Sequence, residues 1–108
     1  MPLHIEIAQE GADLVLRLTG DLDLSHATEF VRCVDELTQM TLEPRIVVEA
    51  SQVAFVDSTG TQALIVANRR CLDAGGSLSI RSPSRPVQQI LRITGLDQVL
   101  TVDAADGE

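Results

Sequence analysis

A hydroxyl beside a carboxylate stands at the centre of the run Phe55-Val56-Asp57-Ser58-Thr59-Gly60. Upstream lies Ile46-Val47-Val48, a β-branched apolar run that reads as a buried strand, and downstream residues 61–72 have helical periodicity. Ser58 is therefore expected in or beside the first turn of a helix, where unpaired N–H groups and the helix dipole favour negative charge. Two uses fit that position. Asp57 can cap the helix, with Ser58 and Thr59 in its first turn and Gly60 allowing close packing. Alternatively Ser58 can accept a phosphate, since the same geometry suits a dianion. Thr59 and Thr61 offer further hydroxyls.

Catalysis does not fit these residues. A nucleophile elbow needs glycine two positions before the serine, where this chain has Val56. His4 and His26 are the only histidines, and neither spacing nor context brings them to Ser58 as a base. An aspartic-protease loop carries Asp-Thr/Ser-Gly, but here an extra residue intervenes and a helix follows. A phosphate loop would need a glycine-rich run ending in lysine. Two cysteines and two scattered histidines form no metal-ligand spacing. The expectation is a protein without catalytic residues, cofactor or metal: not an enzyme.

Composition narrows the partners. The 108 residues are 44% hydrophobic, enough for one domain with a modest core. Two Phe, no Trp and no Tyr leave that core to aliphatic side chains and provide no base-stacking platform. A net charge of −8 repels nucleic acid and anionic lipid, so a partner should bring basic groups. Cys33 and Cys71 fall on apolar helical stripes and are expected as reduced core thiols. The N-terminus lacks the features of a signal peptide, and the longest apolar run, 63–67, is too short to span a bilayer. A cytoplasmic location follows as an expectation.

The elements that must position Ser58 can be read from periodicity. Leu3, Ile5 and Ile7 alternate with polar residues, as do Leu14, Leu16 and Leu18, with a turn between them, which predicts a hairpin. Ser25 is a candidate cap for a helix carrying Ala27, Phe30, Val31, Val34 and Leu37. A strand at 45–50 precedes the Asp57 run. The next helix bears Leu64, Ala67, Cys71 and Leu72 on one face, with Ile65 and Val66 round the side. That apolar stripe is wide enough to serve a partner as well as the core. Gly75-Gly76 ends it. Leu78 and Ile80 mark a fourth strand. Ser84 caps a third helix with Pro86 in its first turn, and Val87, Ile90 and Leu91 facing inward. Residues 99–102 suit a last edge strand, and Asp103 to Glu108 read as an acidic flexible tail. The predicted class is α/β: a mixed four- to five-stranded sheet with helices packed on it, in a single domain over residues 1–102.

Four segments in this order resemble the STAS domain of bacterial anti-sigma-factor antagonists: Ile46-Val47-Val48, the Phe55 to Gly60 run, Pro86-Val87 through Thr94-Gly95-Leu96, and Gly20-Asp21-Leu22-Asp23. The likeness spans residues 3–102. It implies that the unphosphorylated chain binds an anti-sigma factor and frees a sigma factor for transcription. It also implies that the anti-sigma factor is a serine kinase that phosphorylates Ser58, supplies the Mg-ATP and is thereby released. A phosphatase resets the cycle. Asp21, Asp23, Asp57, Thr59, Gly60 and Thr61 would surround the phosphosite. Where the family usually has an apolar residue this chain has Thr61, and Thr59 replaces a common serine. The free chain is expected as a monomer or weak dimer. The same resemblance admits an alternative, a STAS regulatory subunit of an ABC-type lipid transporter with no phosphorylation cycle.

Overall fold

The computed structural model describes residues 1–103. β1 (His4–Glu10) and β2 (Asp13–Leu22) form the expected hairpin, with Ile5 opposite Leu18 and Ile7 opposite Leu16. α1 (Ala27–Met40) leads to β3 (Arg45–Val56), which pairs parallel with β2. α2 (Ser58–Asp73), β4 (Ser77–Arg81), α3 (Arg85–Thr94), a 3₁₀ turn (Leu96–Gln98) and β5 (Thr101–Asp103) complete the order. The sheet runs β1-β2-β3-β4-β5, antiparallel only between β1 and β2. The mixed five-stranded sheet with helices packed on it is the predicted class.

Alternation divides the sheet's two faces. Leu16, Leu18, Ile46, Val48, Leu78 and Ile80 point to the helix side, where Phe30, Val34, Leu64, Ala67, Val87 and Leu91 complete one aliphatic core. Val15 and Val47 lie on the opposite face and are also buried. That face carries ion pairs between Arg17 and Glu6, Arg45 and Asp13, and Arg81 and Glu10.

Several boundaries differ from the sequence reading. β3 continues past residue 50 to Val56, because shifts in its register with β2 beyond Arg17 keep the two strands paired as far as Leu22 and Val56. α2 begins at Ser58 and not at residue 61, since Asp57 is a functioning cap. His26, and not Ser25, occupies the cap position of α1. Ser84 caps α3 by position only, because its hydroxyl makes no capping bond and is buried without a partner. Leu72 is 56% exposed, so it leaves the buried stripe of α2 that Leu64, Ala67 and Cys71 share. The last strand starts at Thr101, after the 3₁₀ turn. Asp103 belongs to it, opposite Arg81, and not to the tail. The rest of the expected tail, 104–108, lies outside the described residues. Cys33 and Cys71 are free thiols. Among the described residues no helix is long and apolar enough to cross a membrane.

Candidate functional site

The site forms where β2 and β3 end side by side. Asp21 pairs with Phe55 and Leu22 with Val56, so both chains leave the sheet at one level. From β2 the chain enters the loop 23–26, and from β3 it turns at once into α2. Gly60 permits that turn. A Cβ on Gly60 would lie 1.9 Å from the Leu22 carbonyl oxygen, a distance no side chain tolerates. The first turn of α2 thus sits directly on the end of β2.

Asp57 joins the two connections. Its Oδ1 accepts from the Gly60 N–H at 2.8 Å, the expected helix cap. Its Oδ2 accepts from the Leu24 N–H at 3.1 Å, which fixes the 23–26 loop against the start of α2. The Asp57 N–H donates to the Leu22 carbonyl at 3.4 Å. Thr61 is 6% exposed, and its hydroxyl donates to the Asp57 carbonyl at 2.9 Å. The hydroxyl that stands where a purely apolar residue was the pattern is therefore an internal brace. Ser58 is exposed, as the first residue of α2.

The two other aspartates lie on the neighbouring connection. In the loop, Asp23 Oδ1 accepts from His26 Nδ1 at 2.7 Å. That hydrogen bond holds the Asp23 carboxyl below the usual carboxylate range, so it stays charged at neutral pH. Asp21 Oδ2 lies 2.6 Å from the Met1 ammonium, and its own N–H donates to the Met1 carbonyl. Asp21 reaches the site through its place beside Phe55, whereas Asp57 touches the loop that carries Asp23. Thr59 faces the other way, into a groove between α1 and α2.

Sequence reasoning did not single out three participants. Leu24 is 74% exposed and Phe55 50%, apolar side chains left uncovered on the loop after β2 and at the end of β3. His26 reaches this end through the loop, although nothing in its spacing from Ser58 indicated it. Exposure was the missing signal, since Leu24 and Phe55 look like core residues in sequence. The α1–α2 groove, of about 490 Å³, has Ala27, Val31, Ala63 and Val66 along it. Beyond them Arg70 donates to both carboxylate oxygens of Asp35, at 2.6 and 2.7 Å, tying α2 to α1. No cluster of potential metal ligands occurs among the described residues. Chemically, the arrangement offers an exposed hydroxyl at a helix N-terminus, the capping carboxylate of Asp57 next to it, and exposed apolar side chains on the neighbouring loop and strand end.

Known proteins share this architecture. A profile of the family described as "Mlab, STAS domain" matches residues 5–102. An anti-sigma F factor antagonist of Paenibacillus polymyxa is 28% identical over 103 residues, covering 94% of this chain and 87% of the relative. The crystal structure of an anti-sigma factor antagonist from Mycobacterium paratuberculosis superposes with a TM-score of 0.83 at 16% identity, covering 94% of this chain and 86% of that one. The Bacillus cell fate determinant SpoIIAA in its phosphorylated form gives 0.70 at 18% identity, covering 95% and 92%.

Proposed function

Because the chain belongs to the STAS-domain family, we propose that it is an anti-sigma-factor antagonist whose partner binding is switched off by a phosphate on Ser58. The observation that carries this reading is an exposed Ser58 at the first position of α2, whose Asp57 cap also holds the backbone of Leu24 in the neighbouring loop. An anti-sigma F factor antagonist is among its relatives, and the Bacillus protein SpoIIAA, which shares the fold, has been solved in a phosphorylated form.

The unphosphorylated surface suits a protein partner. Leu24 and Phe55 supply apolar area to bury, and the acidic chain attracts a basic surface. The partner is the anti-sigma factor, itself the serine kinase that brings Mg-ATP to Ser58. A phosphatase returns the chain to its binding state. On this reading the Ser58 hydroxyl is an acceptor and not a nucleophile of its own reaction.

Phosphorylation adds roughly −1.5 to −2 charges beside Asp57, close to the loop that bears Asp23. The helix start accommodates the dianion, so the fold survives. A partner burying Leu24 and Phe55 would have to strip water from that dianion next to fixed carboxylates. About 2.7 kcal/mol of such penalty weakens binding a hundredfold. Incubation with the cognate anti-sigma kinase and Mg-ATP, followed by intact-mass measurement, tests the reading. One added phosphate is expected, absent in Ser58→Ala. An unchanged mass with the partner that binds the chain would overturn the switch.

A further inference from the structure

We propose that β1 pairs with β1 of a second copy of this chain, antiparallel and about a two-fold axis through Ile7. β1 is an edge of the sheet, with β2 as its one strand neighbour among the described residues. All but one of its seven residues are exposed, so the backbone groups along its outer side are open to pairing. Such edges are commonly blunted by charge. Here Glu6 and Glu10 supply the charge, but in one register Glu10 meets the partner's His4 and Glu6 meets no like charge.

Outward-pointing N–H and C=O groups alternate along an antiparallel strand, so two copies can satisfy each other only when paired residues share parity. Symmetric pairing must then be centred on a residue. Centring on Glu6 sets it against the partner's Glu6. Centring on Ala8 sets Glu6 against the partner's Glu10, twice. Centring on Ile7 sets His4 against the partner's Glu10 and Glu10 against the partner's His4. It also places Glu6 against Ala8 and Ile5 against Gln9. Centring on Ile5 or Gln9 also avoids like charges but pairs only three residues of β1, so the register on Ile7 alone opposes no like charges while pairing all seven.

The faces agree with that choice. His4, Glu6 and Glu10 lie on the side of the sheet away from the helices, and the two-fold operation returns them to the same side. Ile7 lies on the helix side, 53% exposed because the core does not extend over it. At the axis it meets the partner's Ile7, and each covers the other. His4 gives up little, since its contact with Glu6 is long, at 3.9 Å, and exposed. Glu10 can keep its bond from Arg81 on one oxygen and meet His4 of the other copy with the second. The result is a continuous sheet of two copies, with Ser58 two strands from the seam in each.

Sedimentation equilibrium from about 10 µM to about 1 mM, together with amide chemical shifts of residues 4–10, tests the pairing. Wild-type protein should pass from monomer towards dimer across this range, with shifts confined to the β1 edge. Ile7→Lys should remain monomeric. His4→Glu should weaken association about tenfold or more, since symmetry places glutamate against glutamate twice. His4→Glu combined with Glu10→Lys should restore it. All three positions are exposed, and circular dichroism will verify that each variant is folded. A wild-type monomer throughout, association unaffected by Ile7→Lys, or failure of the charge swap to rescue would each overturn the proposal.

Discussion

The Asp57 carboxylate holds the backbone of Leu24, accepting its N–H at 3.1 Å through the oxygen that does not cap α2. One side chain thus ties the loop after β2 to the helix that presents Ser58. Leu24 and the start of α2 are thereby held together, so charge placed at Ser58 would act beside a loop whose position is already set.

Removing that tie should show in both connections. Asp57→Ala is expected to cost about 1–2 kcal/mol, the value of a helix cap with a second bond added. Asp57→Asn, which keeps one acceptor, should cost about half as much. Urea denaturation gives the stability. Hydrogen exchange should quicken at the Leu24 and Gly60 amides in Asp57→Ala while amides in the centre of β3 stay protected.

Gly60 tolerates no side chain. With Leu22 O 1.9 Å from its would-be Cβ, Gly60→Ala must push α2 off the end of β2. A fall in Tm of at least about 10 °C is expected for a domain of this size. A similar alanine at the open position Gly95 is strained only by its left-handed backbone, φ 77° with no neighbour within 4 Å, and should cost about 1–2 kcal/mol. Equal melting of the two variants would contradict the close approach at Gly60.

Thr61 is braced and buried, so it is expected not to serve as a second acceptor. Kinase treatment of Ser58→Ala should leave Thr61 unmodified in peptide mass spectra. Thr61→Val, which removes the bond to the Asp57 carbonyl, should lower stability by about 1 kcal/mol and leave phosphorylation of Ser58 intact.

Alkaline stability should report the cysteines with unusual clarity, because the chain has neither lysine nor tyrosine. Burial pushes the Cys71 thiol up to about 11, and burial also raises Cys33. The native state then holds its protons more tightly than the unfolded chain does. The stability this contributes is complete below the ordinary thiol range and is lost as the pH rises towards 11. The fall should reach at most about 1.4 kcal/mol per pH unit for each thiol. Cys71→Ala should flatten the profile, and Cys71 should resist thiol reagents at pH 8 until the protein unfolds.

Much of the fold was legible because strand alternation and helical periodicity agreed with the turns between them. Leu14, Leu16 and Leu18 announced β2, and Gly75, left-handed at φ 79°, follows the end of α2 where the glycine pair was expected to stop it. The placement of Ser58 was also readable, since Asp57 is a cap by residue type. What could not be read depends on contacts distant in sequence. The length of β3 follows from its pairing with β2 beyond the register shifts. The brace at Thr61 needs the Asp57 carbonyl, and the docking of Leu24 on Asp57 joins residues 33 apart. Exposure of Leu24 and Phe55 is likewise a property of the assembled surface. An apolar residue in a strand pattern is ordinarily core, and only the end of the sheet leaves Phe55 half uncovered.

The central claim is that charge at Ser58 controls partner binding without altering the fold. Titration calorimetry of the anti-sigma factor against unphosphorylated chain, against chain stoichiometrically phosphorylated on Ser58, and against Ser58→Ala measures it directly. Binding to the first and third should match within about twofold, and the phosphorylated chain should bind about a hundredfold more weakly or worse. Equal affinity for all three would contradict the switch.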